Sequence, residues 1–96
     1  MLTSKQRAML KSMSNGIEAI LQVGKSGVGE QLIKQLDDAL EARELVKLSI
    51  LETAPEGAEE TARALAEATH SQVVQVIGRK MVFYRRSEKK PVIELN

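Results

Sequence analysis

Six residues in the first third of the chain, Gly24-Lys25-Ser26-Gly27-Val28-Gly29, constrain the fold more than any other stretch. Glycines this dense permit torsions that side chains forbid and offer nothing to pack, so a regular element must stop there. The two flanks differ in period. Before the glycines, Ile17, Ala19, Leu21 and Val23 alternate with Glu18, Ile20 and Gln22, which is a strand period. After them, Val28, Leu32, Leu36, Ala39 and Leu40 share one helical stripe in a pattern that runs to about Arg43. A second strand pattern follows from Leu45 to Leu51, with Val46, Leu48 and Ile50 on one side and Lys47 and Ser49 on the other. Strand, helix and strand in succession imply a crossover connection, and crossovers pair strands in parallel.

The remaining elements extend this unit at both ends. A helix is expected from about Ser4 to Met13, because Thr3 and Gln6 form a capping box and Asn15-Gly16 supplies a stop. Its apolar edge of Met9, Leu10 and Met13 is narrow and is compatible with either side of a sheet. Thr53-Ala54-Pro55-Glu56 reads as a second capping box, opening a helix that continues to about Thr69 on Ala58, Ala62, Leu65 and Ala66. Glu56, Glu59 and Glu60 suit the positive end of that helix. Gln72–Ile77 and Lys80–Arg85 read as strands joined by a tight turn at Gly78-Arg79. The order is αβαβαββ, an α/β (α+β) class with a mixed sheet. Ninety-six residues leave room for one domain, expected over 1–96 with its core at about 2–86 and a polar, basic tail at 87–96. With 43% hydrophobic residues but one Phe, one Tyr and no Trp, the core must be aliphatic.

Several kinds of chemistry fall away. The chain has no cysteine, which removes disulfides, thiolate metal sites and thiol catalysis. No apolar run approaches the roughly 20 residues of a membrane helix, and the N-terminus lacks a secretory signal pattern, so a cytoplasmic protein is expected. Gly24-Lys25-Ser26 resembles the end of a phosphate loop, but the required earlier glycine is Ala19. A dinucleotide fingerprint from Gly27 fails at Leu32. His70 is the lone histidine, near a helix end. The adjacent acids Asp37-Asp38 and Glu59-Glu60 diverge by about 100° on a helix, so they cannot converge on a scissile bond. No enzyme, cofactor, metal or small-molecule substrate is expected.

What remains is a binding surface. The net charge of +1 conceals a division. Residues 1–36 hold five Lys/Arg and two acids, residues 37–70 three and nine, and residues 71–96 six and two. A fold that joins the ends would have a basic face opposite an acidic one, a field that orients a polyanion. At the glycine turn, Gly24 and Gly27 let another backbone approach closely, Lys25 supplies a point charge, Ser26 a hydroxyl, and the following helix free N–H groups. This is the recipe of loops that clamp an RNA backbone. Arg7 and Lys11 in the first helix, Arg79 and Lys80 in the hairpin, and Arg85-Arg86 with Lys89-Lys90 after it are further cations, and Tyr84 offers a ring that could stack a base.

These residues also carry a resemblance. The element order, Leu21-Gln22-Val23-Gly24-Lys25-Ser26-Gly27, the stretch from Ala39 to Lys47 and the ending from Val76 to Arg85 resemble the CRM (chloroplast RNA splicing and ribosome maturation) domain, in its stand-alone bacterial YhbY-like form. The resemblance covers residues 2–90 and implies a four-stranded mixed sheet with three helices, similar to the C-terminal domain of translation initiation factor three. It implies RNA binding through Gly24, Lys25, Ser26 and Gly27, with Lys5, Arg7 and Lys11 and the hairpin residues Gly78, Arg79, Tyr84 and Arg85 nearby. It further implies ribosomal RNA in precursors of the large ribosomal subunit as the partner, bound by a monomer. Two other readings of the residues stand beside it: a protein–protein adaptor using the acidic helices at 37–67, and a small-anion binder using only the helix start.

Overall fold

The computed structural model describes residues 2–95, so Met1 and Asn96, the ends of the expected 1–96 domain, lie outside the described residues. Three helices, α1 (Ser4–Ser14), α2 (Glu30–Arg43) and α3 (Ala58–Thr69), alternate with β1 (Ala19–Val23) and β2 (Leu45–Ile50) before a final hairpin of β3 (Gln72–Ile77) and β4 (Lys80–Tyr84). The strands form one sheet in the order β1-β2-β4-β3. β1 and β2 are parallel, as a helical crossover requires, and β4 is antiparallel to both of its neighbours.

Alternation along the strands sorts the core into two layers. Val46, Leu48 and Ile50 of β2 and Met81 and Phe83 of β4 bury one face of the sheet under Leu36 and Leu40 of α2 and Ala62 and Leu65 of α3. Leu45, Val74, Val82 and Tyr84 face the other way and meet Leu10 of α1. The face that α1 covers, left open by its narrow apolar edge, is therefore the one opposite α2 and α3. Leu2, Ile17, Ile93 and Leu95 close this second cluster, so both chain ends lie on one side of the sheet.

Local signals account for most of the element ends. Thr3 and Gln6 make the expected reciprocal capping box, at 3.0 and 3.1 Å. Gly78 sits at φ 56° in the two-residue hairpin loop, where glycine is favoured at the first position. The second expected capping box is not formed. α3 begins at Ala58 after an N-cap at Gly57, and residues 52–56 make a turn instead. The reason is packing: Pro55 seats its ring against Gly27, and the residue before a proline is held out of the helical region.

The segment expected as a basic tail is fastened down by two glutamates. Glu44 is fully buried at φ 66° after the end of α2, and its carboxylate accepts N–H groups from Ser87 (2.8 Å), Val92 (2.7 Å) and Ile93 (2.7 Å). Burial disfavours its charge, yet these three donors outweigh burial and hold its pKa below the usual value. Glu41 accepts the Ser87 hydroxyl (2.6 Å) and the N–H groups of Glu88 and Lys89 (3.1 Å each). These bonds, led by that from Ser87, lower its pKa to about 2.

Candidate nucleic-acid interface

Residues Gly24 to Gly27 form a closed turn in which the Gly27 N–H donates to the Gly24 carbonyl at 2.9 Å. Lys25 and Ser26 occupy its two central positions and are exposed. Gly27 lies at φ 65°, and a Cβ there would stand 2.8 Å from Pro55 Cγ, so both torsion and space demand glycine. The requirement at Gly24 is milder, since a Cβ would meet only Leu51 Cδ1 at 3.7 Å. The turn precedes α2 by two residues. Gly29, not Ser26, is the N-cap, and no side chain caps it, so the first N–H groups of the helix have no side-chain acceptor.

Beside the turn runs a groove of about 280 Å³ lined by Gln22, residues 24–27, Gly29, Gln31, Leu32 and Gln35. Among these described residues Lys25 is the one charge, and three glutamine amides surround it. The opposite flank of the turn differs in kind, because there Ser26 and Gly27 share a groove with Glu56 and Glu60. The turn thus separates a neutral-to-basic side from an acidic one, and an anion is favoured only on the first.

The sheet topology decides which expected residues join this site. Leu51 N–H donates to the Val23 carbonyl and Ile50 N–H to that of Arg79, both at 2.9 Å. These bonds tie the β1–α2 turn, the β2–α3 turn and the hairpin to one end of the sheet. Arg79 and Lys80 therefore belong with Lys25, although Arg79 is paired with Glu52 at 2.7 Å. Tyr84 and Arg85 lie at the opposite end, as does Arg86 next to them, because Tyr84 pairs with Leu45 at the start of β2.

Three expected contacts are taken up by the fold itself. Tyr84 is only 8% exposed within the second core cluster, so it cannot stack a base as expected. Burial, with Glu44 as the nearby anion, pushes its phenol pKa up. Arg85 bonds the Asp37 carboxylate (2.5 Å), the Thr69 carbonyl (2.7 Å) and the Asp37 carbonyl (3.0 Å), which ties the middle of α2 to the C-terminal end of α3. Arg7 donates to the carbonyls of Val73 and Val74, on the strand at the sheet's outer edge. Lys5 and Lys11 remain exposed on α1, on the face away from α2 and α3. The three groove glutamines were not legible in the sequence, since neither charge nor motif marks them.

Comparison with known proteins gives a consistent result. The family profile of the CRS1 / YhbY (CRM) domain matches residues 2–85. The chain is 45% identical over 95 residues to the Probable RNA-binding protein YqeI of Bacillus subtilis, covering 99% of each chain. It is 35% identical over 89 residues to the Probable RNA-binding protein MJ0652 of Methanocaldococcus jannaschii, covering 91% of this chain and 66% of that protein. The solution structure of the protein SAV1595 from Staphylococcus aureus superposes with a TM-score of 0.84 at 47% identity over the full length of both chains.

Proposed function

From the premise that the chain belongs to the CRS1 / YhbY (CRM) domain family, we propose that it is a non-enzymatic RNA-binding protein whose partner is structured ribosomal RNA, bound during assembly of the large ribosomal subunit in the bacterial cytoplasm. The relatives named above carry the name Probable RNA-binding protein, which supports RNA as the partner class. One observation carries the placement of the site: the groove beside the Gly24–Gly27 turn combines a glycine-lined approach, uncapped helix N–H groups and Lys25 with no carboxylate in its lining. An RNA backbone entering this groove meets donors for its phosphate oxygens, and the acids Glu56 and Glu60 repel it from the other flank.

In this reading Gly24 and Gly27 admit the backbone, Lys25 and Ser26 contact phosphate, and Arg79 and Lys80 extend the track. Lys5 and Lys11, and Arg86 at the far end, contribute long-range attraction rather than contact at the turn. The chain acts as a monomer. Phosphate contacts of this kind position the RNA without reading sequence.

Fluorescence anisotropy with a structured large-subunit ribosomal RNA fragment tests the reading. Between about 50 and 200 mM salt, affinity should fall steeply, and the double variant Lys25→Asp, Ser26→Asp should bind more weakly with a flatter slope. Equal binding and slope in the variant, with folding intact by circular dichroism, would remove the turn from the site.

A further inference from the structure

Lys47 and Lys80 are the only charged side chains within the four strands, among the described residues, and both lie on the same face of the sheet. Their placement follows from register. Lys47 pairs with Val82, whose side chain belongs to the α1 layer, and Lys80 lies two residues before Val82 on the same strand. α1, with Leu2, Ile17, Ile93 and Leu95, covers the part of this face around Leu45, Val74, Val82 and Tyr84. Near the glycine turn the face is open, and a row of paired residues crosses all four strands there: Gln22, Ser49, Lys80 and Ile77. At about 4.8 Å between strands the row spans on the order of 14 Å. Ile77 is 61% exposed and Ile20, at the other edge, 41%.

We infer that this open half of the sheet is a docking surface for a single-stranded RNA segment, continuous with the turn; the inference rests on the proposed function above. Continuity is direct, since Gln22 both lines the groove beside Lys25 and heads the cross-strand row. Charge complementarity is equally direct, because the strands contribute two lysines and no carboxylate to this face, which favours a polyanion. The exposed isoleucines decide between strand types. A duplex keeps its base faces stacked inside and would present phosphates alone, leaving Ile20 and Ile77 without partners. An unpaired strand offers splayed bases to the isoleucines and base edges to Gln22 and Ser49, on a sheet area that suits two or three nucleotides.

The test uses the full chain with a fluorescein-labelled 12-nucleotide oligouridylate and, separately, a blunt RNA duplex. Lys47→Gln combined with Ser49→Ala should weaken oligouridylate binding about fivefold while changing duplex binding less than about twofold. Lys25→Asp should weaken both probes. If the sheet variant binds oligouridylate like the wild type while Lys25→Asp does not, the sheet proposal is overturned and the turn stands. If the wild type binds neither probe, both readings fall. Lysine acetylation of the unaltered protein provides a measurement free of folding effects. Oligouridylate should protect Lys47 and Lys80 as well as Lys25, and protection of Lys25 alone would also overturn the sheet surface.

Discussion

Gly27 answers two demands at once, a left-handed torsion and the proline ring that rests on it. Gly27→Ala is expected to cost about 1–3 kcal/mol in urea unfolding, whereas Gly24→Ala should cost less than about 1 kcal/mol. Equal costs at the two glycines would contradict the contact with Pro55. Glu44 is the other residue on which much depends, because one buried carboxylate serves three N–H donors. Glu44→Ala leaves those donors without an acceptor and should lose about 2–4 kcal/mol. Glu44→Gln turns an amide group toward an N–H and should recover only part of that loss. Tyr84 is the sole tyrosine, so absorbance titration reads it alone. Because burial raises its pKa, the folded protein should titrate above the ordinary tyrosine value of 10.0 and lose stability as pH rises past that value.

Among the elements, legibility followed the range of the interaction that fixes each one. The capping box of α1, the period of β1 and β2 and the Gly78-Arg79 hairpin are local, and they were readable from neighbouring residues. The start of α3 was not, because a contact between Pro55 and Gly27 displaced a capping pattern that was locally sound. The same limit applied at the site. The turn itself was legible, but an arginine looks alike in sequence whether it meets solvent or a backbone carbonyl. Arg7 shows the consequence, since it occupies acceptors on the outer strand β3. Arg7→Met should lower stability by about 1–2 kcal/mol and, by baring that edge, promote self-association visible in gel filtration. The segment after β4 should respond to acid. The pKa values of Glu41 and Glu44 are both depressed by folding, so their contributions are present above the ordinary carboxylate value of 4.5 and are lost as pH falls below it, that of Glu41 as pH approaches about 2. Amide protection at Val92 and Ile93 should weaken as pH falls below the ordinary carboxylate value, before global unfolding, and unchanged protection down to the unfolding transition would contradict the arrangement.

For the molecule as a whole, a net charge near zero is compatible with a polyanion partner because the charges are divided by position. Lys5, Lys11, Lys47 and Lys80 belong to the α1 side, and α2 and α3 carry Asp38, Glu59, Glu60 and Glu67 on the other. Reversing Asp38, Glu59 and Glu60 to lysine should strengthen RNA binding without abolishing the effect of Lys25→Asp, as measured by anisotropy. A complete loss of binding would instead favour the adaptor reading of the acidic helices. The strand order carries a consequence of a different kind. β4 is the last of the four strands to be synthesised, yet it lies between β2 and β3 and, among the described residues, is the only ladder partner of β3. A nascent chain that ends at Arg79 has a parallel pair and a strand with no neighbour, and the inner faces of Val46 and Leu48 lack their partners Phe83 and Met81. At roughly 5–20 residues per second, translation supplies the missing strand in about a second. Completion of the sheet on the ribosome is thus postponed until β4 has been made, and the interval in which an unfinished sheet can meet other chains depends on how quickly that strand is released.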